Sequence, residues 1–175
     1  FFAVMYESQL EFISSPDNSG WDQNHLITYA NYIQAYDFYA GMGLKSVDGV
    51  GIPILLCVNY CDQNRTPVDN ACYSGIYFGW ACFGASQINR YGECLDVIGH
   101  EYTHGVTSHA MGGILYANET GAINEAYADI VGNICEMYMG GTSDTTWANA
   151  ENSGAANRSL SDPHAFRQPA YVGDS

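Results

Sequence analysis

Basic side chains are scarce in this chain: 5 Lys and Arg stand against 19 Asp and Glu, a formal charge of −14 across 175 residues. Such a polyanion repels phosphate backbones and anionic bilayers, which argues against nucleic acid and membrane partners. Long apolar runs are missing as well. The longest, residues 52–58, is interrupted by Pro53 and falls far short of a membrane-spanning helix. No Cys-x-x-Cys pair occurs, which removes zinc knuckles and thioredoxin-type motifs. There is no internal repeat and no low-complexity tract. A basic leader is absent too. The chain opens Phe1-Phe2, so a mature or partial product of a longer precursor is expected.

What is present begins with acid and thiols. The acidic surplus reads either as a solvated surface or as a supply of oxygen ligands for calcium. The six cysteines are Cys57, Cys61, Cys72, Cys82, Cys94 and Cys135. Their even number suggests disulfides and an oxidising compartment, hence a secreted or extracellular protein. The Asn-x-Ser/Thr sequons at Asn64, Asn118 and Asn157 permit the same reading.

Residues 1–15 pattern as strand, and Pro16, Asp17, Asn18 and Gly20 supply turn chemistry. Across 22–39, Leu26, Tyr29, Ile33, Tyr36 and Phe38 recur at near-helical spacing, until Gly41 and Gly43 stop the helix. Residues 50–59 read as a buried strand, and 70–84 as a strand pair or extended edge. Helices are expected over 95–110 and 122–139, with a loop over 114–121 and a polar, loop-rich stretch beyond 141. Strands first and helices after indicate an α+β architecture, with a strand-rich lobe over 1–93 and a helical region over 94–175.

The segment His100-Glu101-Tyr102-Thr103-His104 stands out. Histidines at i and i+4 differ by about 40° around a helix, so both imidazoles can face one zinc ion. Glu101 lies beside such a metal, where it can take a proton from water. The bland alternative is a surface helix with two exposed histidines. A catalytic zinc needs a third protein ligand and an open position. His109 is poorly spaced for that role and reads as a helix-end histidine. Glu125 and Asp129 are themselves i, i+4. If their helix packs on the first, Glu125 can complete the site and Asp129 can accept the outer N–H of His100. The alternative for that pair is an exposed acidic face. The small apolar surroundings (Ala122, Ile123, Ala126, Ile130, Val131 and Ile134) weigh against it.

Together with the pentapeptide, the block from Tyr116 through Gly121-Ala122-Ile123-Asn124-Glu125 to Asp129 resembles the paired active-site helices of thermolysin-like zinc metallopeptidases. The resemblance implies a zincin-like fold with the active-site helix at the lobe junction, and an endopeptidase acting on peptides or proteins. It implies His100, His104 and Glu125 as zinc ligands and Glu101 as general base. Asp129 and Asn124 become the outer partners of the two histidines. Tyr116 and Arg158 become donors to the reacting carbonyl, and Asn70-Ala71 an edge that pairs with substrate backbone. Asp96, Glu136, Asp144 and Glu151 fall where the family holds calcium. The family also uses a later His with an Asp partner, which these 175 residues do not match. His164 lies outside that context, so a further chain or segment completing the C-terminal lobe is an expected partner. Asn157 replaces an aliphatic wall of the pocket for the residue after the cleaved bond. A secreted binding or structural protein that keeps the fold but hydrolyses little is the alternative.

Overall fold

The computed structural model describes the chain apart from residues 1, 7–8, 14–16, 18, 63, 65, 75–78, 85–89, 114–115, 142–146, 155, 172 and 175. Within 1–16 and 75–89 the backbone alone is described. Five strands form one sheet: β1 Phe2–Tyr6, β2 Gln9–Ile13, β3 Ile54–Cys61, β4 Ala71–Ser74 and β5 Gly79–Gly84. Their spatial order is β2-β1-β3-β5-β4, so β4 ends the sheet. β3 runs parallel to β1 and β5, while β1 with β2 and β4 with β5 form antiparallel pairs. The helices are α1 Gln23–Gly41, α2 Leu95–Ala110 and α3 Asn118–Gly140. Two-residue strands β6 Ala148–Asn149 and β7 Arg158–Ser159 pair beyond them. The expected α+β order is therefore found, with α1 set between the strands.

α1 starts where the Asp22 side chain accepts the Asn24 amide at 2.8 Å. Of the apolar residues at near-helical spacing, Tyr36 and Phe38 pack against the core. Leu26 and Tyr29 are each 47% exposed, whereas His25, Thr28, Tyr32, Ala35 and Tyr39 are buried. The neighbours select that face. Tyr32 and Tyr39 place their rings 5.4 and 5.1 Å from Tyr102 of α2, and His25 Nε2 lies 3.0 Å from the Asn59 amide. Aromatic contacts and hydrogen bonds outweigh scattered aliphatic area here.

α2 and α3 cross in close contact, and glycine makes this possible. A Cβ on Gly132 would strike the Asp96 carbonyl oxygen and sit 3.0 Å from the His100 amide. One on Gly99 would lie 3.1 Å from Gly132 Cα. α3 ends at Gly141, whose φ of 65° suits a residue without Cβ. The core under α2 gathers Leu95, Ile98 and Tyr102 with Leu56, Val58 and Cys135. The expected disulfides do not form among the described cysteines Cys57, Cys61, Cys72, Cys94 and Cys135. Cys94 and Cys135 are buried in the apolar core, and burial pushes the Cys135 thiol up to about 12. Such thiols pack as small hydrophobes.

Candidate active site

One helical turn separates His100 and His104 on α2, and α3 lays Glu125 across them. His100 Nε2 is 3.4 Å from Glu125 Oε2, and His104 Nε2 is 3.3 Å from Glu125 Oε1. The two Nε2 atoms are 2.9 Å apart. Each outer nitrogen meets an oxygen: His100 Nδ1 lies 2.7 Å from Asp129 Oδ1, and His104 Nδ1 lies 2.9 Å from Asn124 Oδ1. The Thr107 hydroxyl lies 3.2 Å from the same Asn124 oxygen and 3.1 Å from the His104 carbonyl oxygen, so its one proton is shared between them. When each outer nitrogen donates to its oxygen, the inner nitrogens of the neutral rings present lone pairs. Two lone pairs and a carboxylate then face one point. Ligands of a tetrahedral zinc at about 2.0–2.1 Å stand about 3.3 Å from one another, so the three donors fit that ion. Burial disfavours charge on His100, yet the Asp129 and Glu125 carboxylates prevail and raise its pKa to about 9. Without a metal the cage thus answers by taking a proton. His100 and His104 in turn hold the Glu125 carboxyl well below the usual range.

Glu101 is buried beside the cage, and its Oε2 has no hydrogen-bond partner. Burial pushes its pKa up, against the pull of both histidines. A cleft of about 560 Å³ opens over these groups. Asn70 and Ala71 line one rim at the start of β4, where an edge strand offers backbone groups to an extended chain. Tyr116 lines the cleft with its ring centroid 6.1 Å from that of His104. Arg158 grips Asp129 with two bonds, Nε to Oδ2 and Nη2 to Oδ1, each 2.7 Å. Burial opposes the Asp129 charge, but His100 and Arg158 outweigh it and keep its carboxyl below the usual range. Sequence reading missed Asn149. Its buried side chain donates to Asp129 Oδ1 at 3.2 Å and accepts from Asn133 at 3.1 Å. It also missed Tyr91 and Val97, which line the same cleft. None of these carries a motif.

The pattern described as thermolysin metallopeptidase, catalytic domain, matches residues 6–108, and that of the alpha-helical domain matches 112–175. The chain belongs to the thermolysin metallopeptidase family. Among relatives, a bacillolysin of Bacillus caldolyticus is 32% identical over 168 residues, covering 92% of this chain and 29% of that protein. A zinc metalloproteinase of Renibacterium salmoninarum is 34% identical over 157 residues, covering 84% of this chain and 27% of its own length. The chain thus spans under a third of the curated relatives it matches. A solved structure, the precursor of protealysin, a metalloproteinase from Serratia proteamaculans, shares the fold with a TM-score of 0.56 at 23% identity. It covers 78% of this chain and 43% of that one.

This thermolysin-family chain brings a second cluster together. Oxygens of Asp96, Glu136 and Glu151 lie within 4.8 Å of one another. Asp96 is fully buried. Its Oδ2 accepts the Ala150 amide at 2.6 Å, while Oδ1 has no partner. Burial raises its pKa to about 6, with Glu151 adding to the rise. Asp144 lies outside the described residues. His109 sits in the last turn of α2, its Nδ1 2.9 Å from the Gly105 carbonyl oxygen. No described helix is long and apolar enough to cross a membrane.

Proposed function

We propose that this chain is the catalytic core of a secreted zinc endopeptidase, with His100, His104 and Glu125 as the zinc ligands. The observation that carries the reading is the convergence of His100 Nε2, His104 Nε2 and the Glu125 carboxylate on one point, with the outer nitrogens of the rings set against Asp129 and Asn124. Bound there, zinc would supply Lewis acidity, acidifying water and polarising a peptide carbonyl. Glu101 serves as general base. Its raised pKa brings the carboxyl nearer to working pH, so it can take a proton and return it to the leaving amine. Arg158 and Tyr116 donate to the carbonyl oxygen as charge develops there. Arg158 also holds Asp129, and so orients His100. The substrate peptide extends along β4, with Asn70 and Ala71 as backbone partners.

The Asp96, Glu136 and Glu151 cluster is assigned to calcium, with Asp144 as a further ligand. Buried carboxylates this close repel one another unless a hard cation stands between them, and Asp96 Oδ1 has nothing else to bind. The lobe boundary at 93/94 and a segment completing the C-terminal lobe belong to the same reading.

Glu101→Gln in the full-length protein tests the reading. We expect zinc to stay at one per chain and peptide cleavage to fall about 10³-fold. Unchanged cleavage would remove Glu101 from its role, and loss of zinc would show that it serves the metal instead.

A further inference from the structure

We propose that the recess beside Arg158 selects an uncharged, hydrogen-bonding side chain at a residue flanking the scissile bond. Asn157, with Tyr91 and Asn149, sets that choice. The proposal rests on the peptidase reading and deepens it.

Among the described residues, the aliphatic side chains lining the cleft are Ala71 and Val97 alone. Specificity pockets for bulky apolar residues are walled by aliphatic and aromatic carbon, whereas here asparagine amides stand beside that carbon among the described walls. Arg158 shares the lining of this cleft with Val97, the Tyr91 ring and the amides of Asn149 and Asn157, and Tyr91 interacts with both Asn157 and Arg158. The two asparagines are held side by side, since the Asn157 backbone N–H donates to the Asn149 carbonyl at 3.0 Å. Asn149 is 1% exposed and locked between Asn133 and Asp129. One of its two amide protons meets Asp129, which leaves the other for an acceptor. Asn157 is exposed and hydrogen-bonds the Tyr91 phenol. That side chain can turn to a ligand without unpacking anything.

Charge narrows the class. Arg158 is the cation of this recess, and its two-point bond to Asp129 neutralises it in place. A substrate carboxylate would find little net attraction. A carboxamide or hydroxyl would find both donors and acceptors. A leucine would cover the amides while satisfying none of them, which lowers its specificity constant roughly tenfold relative to a side chain that does.

The test uses full-length zinc-loaded protein and quenched peptides varied at each flank of the cleaved bond, with Asn, Gln, Ser, Asp, Leu or Phe. Asn or Gln should exceed Leu about tenfold in kcat/KM at one flank. Asn157→Leu, an exposed change that leaves the core intact, should erase or invert that ratio. Preference for Leu, Phe or Asp, or a ratio untouched by Asn157→Leu, overturns the inference. A binding measurement separates this from failure of the peptidase reading. Zinc-loaded Glu101→Gln protein is titrated with two hydroxamates that differ in the side chain next to the metal-binding group, carboxamidomethyl in one and isobutyl in the other. Tighter binding of the carboxamide supports the proposal. Equal or tighter binding of the isobutyl compound overturns it alone. Binding of neither by folded protein overturns the peptidase reading, and the proposal with it.

Discussion

On α2, Asp96 precedes His100 by one helical turn, and α3 faces both, so the two ligand clusters share a scaffold and differ in charge. The cage of His100, His104 and Glu125 is compensated from within. Its imidazoles face a carboxylate, and Asp129 behind His100 is answered by Arg158. The cluster of Asp96, Glu136 and Glu151 contains only acid. Metal removal should therefore affect the two differently. The first relaxes by capturing a proton, while the second is left with mutual repulsion and an orphaned oxygen. A mixed cage tolerates an empty interval, and an all-carboxylate cage does not.

The change expected to damage both clusters is Gly132→Ala. Its methyl strikes the Asp96 carbonyl oxygen and crowds the His100 amide, forcing α2 and α3 apart. We expect a loss of about 1–3 kcal/mol in denaturant unfolding, with zinc and calcium content falling together in metal analysis. If one metal is kept at full occupancy, the clusters do not share the crossing as a common support.

Glu125→Ala should separate the clusters. Removing a partner behind a ligand costs about 10–100-fold in affinity, and a ligand itself should cost at least as much. Zinc affinity should fall by about 100-fold or more, and by about 10–100-fold in Asp129→Asn, with calcium binding unchanged in both. Competition with a chelator checks each value.

The pH response should be smaller and opposite in sign at the two places. Asp96 is held near 6 against an ordinary value of 3.8, so the folded state binds its proton more tightly. In metal-free protein its contribution is most favourable below about pH 4 and is lost as pH climbs to about 6. Asp129 is depressed, so its contribution is present above the ordinary carboxyl range and is lost on acidification. Asp96→Asn should flatten the first slope. It should also raise the calcium-free melting temperature by about 2–4 °C, because an amide can donate to the neighbouring acids. Calcium should stabilise the wild-type chain at pH 7 and leave this variant unmoved.

The residues of the cage were readable because helical spacing alone puts i and i+4 on one face. His100, His104, Glu125 and Asp129 needed only the packing of two helices to meet, and 95–110 was read to its ends. The start of α3 was less plain. Ala117 gives no side-chain cap and Asn118 takes a positive φ of 53°, so 118–121 pattern as loop although the helix begins there. The exposed Val50 lies before β3, because Gly51 and Pro53 keep the chain out of the ladder until Ile54. α1 was placed correctly, but which face it buries was not read, since that choice depended on Tyr102, a partner 63 residues after Tyr39. Asn149 and Tyr91 had no local signal. The contact of Ala150 with Asp96 spans 54 positions between irregular and helical segments, which no periodicity records.

At Gly132 the main chain of one helix rests on the main chain of the other. Atoms without rotamers therefore set how closely the two ligand-bearing helices approach. The spacing of the two helices that carry both ligand sets thus rests on one hydrogen atom at Gly132, where any other residue would place carbon.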